Sequence, residues 1–234
     1  MFRKALAALG LASAAPAAAP AQPMYSPYAE PGTNKIYNLL FFDNGSLLAP
    51  GGGESPTDWQ TALLGEPADE KALRALAADE GAESRVRYFA YARLRKLGVP
   101  APAKVLLGVI VEVPQAGGLD ALAAYADGGV RYINFSGRIA VVEGVTTFEK
   151  EVREVLAAAA VIVSRIGPWT EPRLPPPAAG KVRLSFLVSD GLYFGEGPMQ
   201  AMQGEPMAGA LISRAALLLQ AIVNAEGTAG TPRA

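Results

Sequence analysis

Two spacings of hydrophobic residues divide this chain into predicted helices and predicted strands. Apolar residues three or four positions apart predict amphipathic helices from about Glu83 to Leu97, from Thr146 to Ile166 and from about Pro206 to Val223. Thr146 and Glu149 have the spacing of a capping box, which predicts that the second of these helices begins there. The second and third helices are the long ones, and each carries a continuous apolar stripe.

Shorter helices are predicted ahead of the first of these. Ser55 is suited to cap a helix whose first residue is Pro56, because serine and proline favour these two positions. Leu73 and Leu76 lie one turn apart and predict a second short helix. With the helix that follows, they predict a helical block over residues 55–98.

Between the helices, the spacing changes to that of β-strands. Lys104–Val113 is apolar on both faces, with Val105, Leu107, Val109, Val111 and Val113 predicted to share one of them. Such a strand is typical of the middle of a sheet covered on both sides. The turn pairs Asp127-Gly128 and Ser136-Gly137 separate the strands that follow, so four consecutive strands predict an antiparallel meander. The predicted strands up to this point are Ile36–Phe42, Lys104–Val113, Leu119–Tyr125, Val130–Phe135 and Ile139–Val142.

A second group of strands follows a proline-rich loop. Residues 168–180 contain five prolines, which exclude regular structure there. Lys181–Val188 then alternates, with its valines, leucine and phenylalanine predicted inward and Lys181, Arg183 and Ser185 predicted outward. Asp190-Gly191 turns this strand into a short strand over Leu192–Phe194.

The order of elements predicts an α+β fold. We expect an antiparallel sheet of about five to seven strands, containing the four-strand meander and packed by the two long amphipathic helices. Residues 22–226 are expected to form a single domain, with the helical block at about 55–98 and the sheet with its helices at about 104–226. Residues 227–234 are expected to form a disordered tail.

The N-terminus resembles a secretory signal peptide. Arg3 and Lys4 precede an apolar, alanine-rich stretch, and Ala19-Pro20-Ala21 offers small residues for cleavage. This predicts removal of residues 1–21 and a periplasmic or secreted protein. Two alternatives remain open: a disordered alanine- and proline-rich tail on a cytoplasmic chain, and translation that begins at Met24.

Composition excludes several kinds of chemistry. The 234 residues include no histidine and no cysteine, which excludes Ser-His-Asp and Cys-His nucleophiles and zinc sites built from nitrogen or sulfur. The formal net charge is −1, so the chain lacks the basic surface that nucleic acid requires. We expect no cofactor, no metal, no nucleic-acid partner and no transmembrane segment.

The segment from Ser189 to Met199 is the leading candidate site. Asp190 and Glu196 flank two aromatic residues, among them Tyr193, and glycines would let the backbone approach a ligand. If the two carboxylates came together, they could act as acid and base on a sugar or peptide. The alternative is a hairpin in which Asp190-Gly191 serves only as a turn and Gly-Glu-Gly-Pro forms a loop into the last helix.

Three other features could take part in recognition. Tyr132 and Asn134 share one face of a predicted strand and, with Tyr193, are candidates for ligand binding, although cross-strand pairing is the more common role of such residues on a sheet face. The predicted helix from Glu83 to Leu97 has a basic face that could meet an acidic partner or a phosphate, or simply face solvent. This face consists of Arg85, Arg87, Arg93, Arg95 and Lys96. Trp169 follows a helix stop and is expected to pack the proline-rich loop onto the core.

Three segments of the chain together resemble an uncharacterised bacterial protein family. They are residues 36–41 (Ile-Tyr-Asn-Leu-Leu-Phe), residues 125–134 (Tyr-Ala-Asp-Gly-Gly-Val-Arg-Tyr-Ile-Asn) and residues 186–198 (Phe-Leu-Val-Ser-Asp-Gly-Leu-Tyr-Phe-Gly-Glu-Gly-Pro). The resemblance would cover most of residues 36–223. It implies no activity, cofactor or catalytic residue, and the N-terminal extension would be a departure from the family.

These observations predict a non-catalytic protein with an interaction or structural role, acting on a protein partner. The alternative is a carboxylate-dependent hydrolase or a small-ligand-binding protein that uses the 189–199 hairpin.

Overall fold

The computed structural model describes residues 23–51, 55–143 and 147–229, with side chains as far as Ala225. The predicted signal peptide over residues 1–21 lies outside the described residues, as do Thr146 and residues 230–234. The elements in chain order are α1 Pro31–Phe41, a 3-10 turn Gly45–Leu47, α2 Asp58–Leu64, α3 Glu70–Ala78, α4 Ser84–Lys96, β1 Leu106–Gln115, β2 Gly118–Tyr125, β3 Val130–Ile133, β4 Ile139–Val142, α5 Glu149–Arg165, β5 Lys181–Val188, β6 Gly191–Pro198, α6 Met199–Gly204 and α7 Pro206–Ala229.

The six described strands form one antiparallel sheet in the order β4-β3-β2-β1-β5-β6. This is the predicted α+β fold, and the predicted meander is β1 to β4. Tight turns fix the register of two strand pairs: Gln115 pairs with Gly118 at the β1–β2 turn, and Val188 pairs with Gly191 at the β5–β6 turn. Strand β1 lies inside the sheet between β2 and β5, in agreement with its apolar sequence.

Helices cover both faces of the sheet. The block α1 to α4 packs on one face, and its core includes Tyr37, Leu40 and Phe89. Helices α5 and α7 pack on the other face, where Leu211 and Leu218 of α7 belong to the same buried cluster as the inward residues of β5. The inward set predicted for β5 is confirmed and consists of Val182, Leu184, Phe186 and Val188.

One prediction about β1 is wrong, because the strand contains an irregularity. Its register against β5 shifts between Leu106 and Gly108, so an extra residue enters β1 there. Leu107 therefore faces the helical block, whereas Val109 and Val111 face α5 and α7. The five alternating apolar residues predicted to share one face are divided between the two.

The predicted strand Ile36–Phe42 is a helix. Pro31 stands in the first turn of α1, where its missing N–H costs nothing, and Phe42 ends the helix in the left-handed conformation at φ 48°. The buried Tyr37, Leu40 and Phe41 fit helical spacing, and a short apolar run does not by itself distinguish a buried strand from a buried helix.

Several element boundaries differ from the predictions. Thr57, not Ser55, caps α2, since Thr57 and Gln60 form a complete capping box and the helix begins at Asp58. Helix α5 begins at Glu149 after Phe148, which makes no side-chain cap. Helix α7 continues to Ala229 instead of ending near Val223.

Strand ends and outward residues also differ. Strand β3 ends at Ile133 instead of Phe135, because Asn134 accepts hydrogen bonds from Ser136 and turns the chain. Strand β6 runs to Pro198, so the segment Gly195–Pro198 is paired strand, not loop. Arg183 and Ser185, predicted to point to solvent, are buried; the proline-rich loop covers Arg183, which donates to the carbonyls of Leu174 and Pro175.

Candidate ligand-binding groove

A groove opens where α4, the turn between β5 and β6 and the proline-rich loop meet. One lobe of about 230 Å³, here called the Trp169 lobe, is lined by Trp169, Glu171, Arg173 and Asp190, among others. A second lobe of about 280 Å³, here called the Lys96 lobe, is lined in part by Phe89, Ala92, Arg93 and Lys96. Both lobes share the lining residues Asp43, Tyr88 and Arg95.

The proline-rich loop is fastened to β6 beside the groove. The backbone N–H of Trp169 donates to the carbonyl of Leu192 at 2.7 Å, and its ring meets Phe194 edge-on at 5.0 Å. A side chain at Gly191 would place its Cβ 2.9 Å from the Cβ of Pro168, so this close approach requires glycine. These contacts hold Trp169 against β6, but the side chain is 36% exposed and lies outside both buried clusters, so it does not pack into the core as predicted.

Asp43 is held by a buried arginine. Arg173 is 4% exposed, and its Nε lies 2.9 Å from Asp43 Oδ2. The same guanidinium donates to Asn38 Oδ1 at 2.9 Å and stacks 4.0 Å from the centre of the Phe41 ring. Burial raises the pKa of Asp43 above its ordinary value, although Arg173 opposes this shift. Asp43 Oδ1 is buried and accepts no hydrogen bond from the described residues.

Asp190, like Asp43, has one hydrogen-bonded and one unpartnered carboxylate oxygen among the described residues. Its Oδ2 accepts a hydrogen bond of 2.9 Å from the hydroxyl of the buried Tyr193, whereas Oδ1 is buried and accepts none from the described part of the protein. Burial, and then the neighbouring Asp190, raise the pKa of Tyr193 to about 12. The tyrosine therefore acts as a fixed donor to Asp190 at neutral pH.

Arg95 links the two lobes to the turn. Its guanidinium donates to the carbonyl of Ser189 and lies 5.9 Å from the centre of the Tyr88 ring. Ser189 is itself fixed, since its hydroxyl donates to Pro102 O at 2.6 Å and accepts from Val105 N–H at 3.0 Å. Burial raises the pKa of Tyr88 to about 12, against the opposing charge of Arg95. The phenol is therefore neutral at physiological pH.

Part of the basic face predicted on α4 lines the Lys96 lobe: Arg93, Arg95 and Lys96 do, whereas Arg85 and Arg87 donate to the carbonyls of Leu39 and Ala77. Lys96 is exposed in this lobe, and Arg93 donates to Glu66 Oε1 at 2.8 Å while lining the same lobe. The structure thus brings three separately predicted features to one groove: Asp190, Trp169 and this part of the basic face.

Glu196 is not part of the groove. It lies six residues from Asp190 along the β6 hairpin, about 20 Å at the rise of an extended strand. Glu196 Oε1 accepts from Lys181 at 2.9 Å, and Oε2 accepts from the buried Arg183. Burial acts to raise the pKa of Glu196, but these two cations outweigh it and the net pKa is lowered. The two carboxylates are therefore too far apart for the acid and base of a glycosidase, which are less than about 10 Å apart.

Tyr132 and Asn134 line a different cavity, of about 430 Å³, together with Arg138 and Val223. Their polar groups already serve the fold: the Tyr132 hydroxyl donates to Asp120 Oδ1 at 3.0 Å, and Asn134 Oδ1 accepts from Ser136. The structure brings these two candidates together, but it places them away from Tyr193, the third, which is buried beside Asp190.

Sequence reasoning missed four residues. Asp43 and Arg173 are far apart in the chain, and no sequence pattern pairs them. Tyr37 and Glu112 form a buried hydrogen bond of 2.6 Å in the face of the sheet under the helical block. Glu112 was detectable as a carboxylate near the end of an otherwise apolar predicted strand; it is 0% exposed, and burial raises its pKa despite the hydrogen bond from Tyr37 and the charge of Arg183.

The residues that the structure describes contain no group of three carboxylates that could hold a metal ion. One helix among them, Pro206–Ala225 of α7, is long and apolar enough to cross a membrane by length and composition alone. Its residues Leu211, Leu218 and Ile222 are buried in the core that α5 and the sheet share, while 28% of the apolar window as a whole is buried.

Comparison with protein-family models, with curated proteins and with solved structures gives no match to this chain. The resemblance drawn from the three sequence segments therefore stays a prediction, and the function rests on the geometry of the groove.

Proposed function

We propose that this protein is a non-catalytic binding protein whose groove takes a small polar ligand that donates hydrogen bonds. One observation carries the proposal: Asp43 Oδ1 and Asp190 Oδ1 are both buried, both lie on residues that line the Trp169 lobe, and neither accepts a hydrogen bond from the described residues.

The energetics of buried acceptors support this proposal. A buried oxygen without a donor costs about 1–3 kcal/mol, and native proteins leave few such atoms. Asp43 is held in place, because its side chain is 10% exposed and its other oxygen is paired with Arg173. Two such oxygens in one lobe can be satisfied together by a ligand with more than one donor group.

The walls and size of the groove also suit a small molecule. Trp169 offers partly exposed aromatic surface, and the charged side chains beside it can fix a ligand's orientation. The two lobes, of about 230 and 280 Å³, together fall within the usual range for small-molecule sites.

Binding without catalysis is favoured by the chemistry of the residues present. The sequence has no histidine or cysteine, and Asp190 and Glu196, the carboxylates proposed for acid and base, lie at opposite ends of β6. Asp190 is hydrogen-bonded to a neutral tyrosine, an arrangement that holds the carboxylate in place without activating a nucleophile.

The test is the thermal unfolding temperature of the protein with panels of monosaccharides, amines, amino acids and inorganic anions. We expect at least one class to raise the unfolding temperature of the wild type by mass action, and to raise it much less for Asp190→Asn. Glu149→Gln, an exposed carboxylate on α5, is the matched control and should respond like the wild type. No stabilisation by any class, or an equal response of Asp190→Asn, would contradict the proposal.

A second candidate function is self-association through the outer surface of α7. Between Pro206 and Ala225 this helix has one charged residue, Arg214, and its charge is matched by Glu154 at 2.7 Å. Only 28% of its apolar window is buried, and Leu217 and Val223 are 50% and 51% exposed. A second copy fits this surface, because two such faces bring no like charges together.

Light scattering after size-exclusion chromatography tests this second candidate. We expect a dimer of the wild type and a monomer of Leu217→Glu, whereas Ala157→Glu on the exposed face of α5 is the control and should leave the dimer intact. A monomeric wild type at all concentrations would exclude it.

Export of the mature chain is also a proposal, supported by the composition of residues 1–21. Mass spectrometry of the protein from its native host tests it. An N-terminus at Gln22 supports export, and an N-terminus at Met1 or Met24 contradicts it.

A further inference from the structure

The two lobes of the groove differ in charge. The Trp169 lobe carries Asp190 and Glu171, and its third carboxylate, Asp43, is paired with Arg173. The Lys96 lobe is lined by Arg93, Arg95 and Lys96; Arg93 is paired with Glu66 and Arg95 lines both lobes, so Lys96 is the cation that belongs to this lobe and has no ion pair among the described residues. One end of the groove is therefore acidic and the other basic, with Tyr88 and Arg95 between them.

This polarity comes from the fold. The acidic end is built from the β5–β6 turn and the proline-rich loop, which the Trp169–Leu192 backbone hydrogen bond holds together. The basic end is the last turn of α4, where cations are also favoured by the helix dipole. The charged residues of the two ends therefore belong to different elements of the fold.

We infer that the ligand is zwitterionic, with an ammonium group at the acidic end and a carboxylate at the basic end, as in a short peptide. This inference rests on the proposed function and names its ligand class. An ammonium group supplies three donors, which suits the two oxygens, Asp43 Oδ1 and Asp190 Oδ1, that accept none from the described residues. The carboxylate accepts from Lys96, the exposed cation of the basic end.

The basic end favours a ligand longer than a single ammonium ion. An amine alone would leave Lys96 without a counter-charge in the site, and an anion alone would meet Asp190 and Glu171. The partly exposed ring of Trp169 can pack against the ligand at the acidic end.

Isothermal titration calorimetry with three forms of one dipeptide tests the inference. Glycylglycine has both charges, N-acetylglycylglycine lacks the ammonium group, and glycylglycinamide lacks the carboxylate. We expect acetylation to weaken binding about tenfold to hundredfold, since it removes charge-assisted hydrogen bonds. The amide should bind about threefold more weakly, because Lys96 is exposed.

Variants assign each end of the ligand. Asp190→Asn should weaken glycylglycine binding as acetylation does, and should have little further effect on the acetylated form. Lys96→Gln should remove the difference between the acid and the amide. Lys150→Gln, at an exposed cation on α5, is the control and should change nothing.

Two outcomes overturn the inference: equal binding of glycylglycine and its acetylated form, or an acid–amide difference that survives Lys96→Gln. Glucose, ethylammonium and inorganic phosphate complete the probe set. If one of these binds in an Asp190-dependent manner and glycylglycine does not, the zwitterion is wrong and the groove remains the site. If no probe binds and no compound class raises the unfolding temperature, both the inference and the proposed function fail.

Discussion

Arg173 and Asp43 form a buried ion pair across the fold, with Nε and Oδ2 2.9 Å apart. The arginine belongs to the proline-rich loop between α5 and β5, and the aspartate follows α1 in the helical block. The same guanidinium reaches Asn38 of α1. This pair therefore fixes the loop that carries Trp169 against the helices that form the opposite wall of the groove.

The first prediction concerns this pair. Arg173→Met should lower the free energy of unfolding by about 3–5 kcal/mol, because it leaves the buried Asp43 carboxylate without its counter-charge. Urea denaturation followed by circular dichroism measures the change. Arg153→Ala breaks an exposed pair with Glu149 and should cost less than about 1 kcal/mol. Equal effects of the two substitutions would show that the Arg173 pair contributes little.

The hydrogen bond between Tyr37 and Glu112 gives the second prediction. Tyr37→Phe removes the 2.6 Å donor and leaves a fully buried carboxyl group, so the free energy of unfolding should fall by about 1–3 kcal/mol. Replacing both partners, as in Tyr37→Phe with Glu112→Met, should recover much of the loss. Chemical denaturation of both variants measures this, and a double variant less stable than the single one contradicts it.

Buried tyrosines predict a loss of stability at high pH. The pKa of Tyr88 and that of Tyr193 are each raised to about 12, from about 10 in the unfolded chain. Between these values the unfolded state binds fewer protons than the folded state, so stability is intact below about pH 10 and falls as pH rises towards 12. The slope should reach about 1.4 kcal/mol per pH unit for each tyrosine.

Urea denaturation at a series of alkaline pH values measures this slope, and absorbance at 295 nm follows phenol ionisation. Tyr88→Phe removes one of the groups and should flatten the curve. A stability that is constant between pH 10 and 12 is the result that contradicts the predicted burial.

Substitutions of Asp190 and Glu196 should have different effects on the free energy of unfolding. Asp190→Asn should change the free energy of unfolding by less than about 1 kcal/mol, because the amide oxygen can still accept from Tyr193. Glu196→Gln should cost about 1–3 kcal/mol, since it removes the charge paired with the buried Arg183 and with Lys181. Loss of the fold on Asp190→Asn would show that this residue is a structural element of the turn.

Gly118 provides a test of the meander. A Cβ at this position would lie 2.0 Å from the carbonyl oxygen of Phe135, so Gly118→Ala should displace the backbone and cost about 1–3 kcal/mol. Gly167→Ala meets nothing within 4 Å and should cost little. Thermal unfolding of the two variants compares them, and similar unfolding temperatures would contradict the register between the β1–β2 turn and the end of β3.

Local patterns were sufficient for most of the fold. Strand β4 agrees with its predicted bounds, β5 agrees with Lys181–Val188, and α5 with its apolar stripe lies within the predicted segment. Alternation and helical spacing are local properties, so they can be read without knowledge of the packing. The errors arise where tertiary packing determines the secondary structure. In α1, for example, a short apolar run is compatible with either a strand or a helix.

The groove was predictable only in part. Asp190, Trp169 and the basic face of α4 each had a sequence signal, but nothing in the sequence indicated that they meet. Asp43 and Arg173 had no signal, because a buried pair between residues 130 positions apart follows from the tertiary fold alone. The separation of Asp190 from Glu196 likewise followed from the extension of β6 to Pro198, a segment that its glycines made resemble a loop.

The fluorescence of Trp169 tests the central claim most directly. The chain has two tryptophans, so Trp59→Phe, at a ring packed near Phe42 in the helical block, leaves Trp169 as the single reporter. Titration with the compound class that raises the unfolding temperature should change the Trp169 emission with the same affinity as calorimetry, and Asp190→Asn should abolish the change. Calorimetric binding that leaves the Trp169 emission unchanged would place the ligand elsewhere and contradict the account.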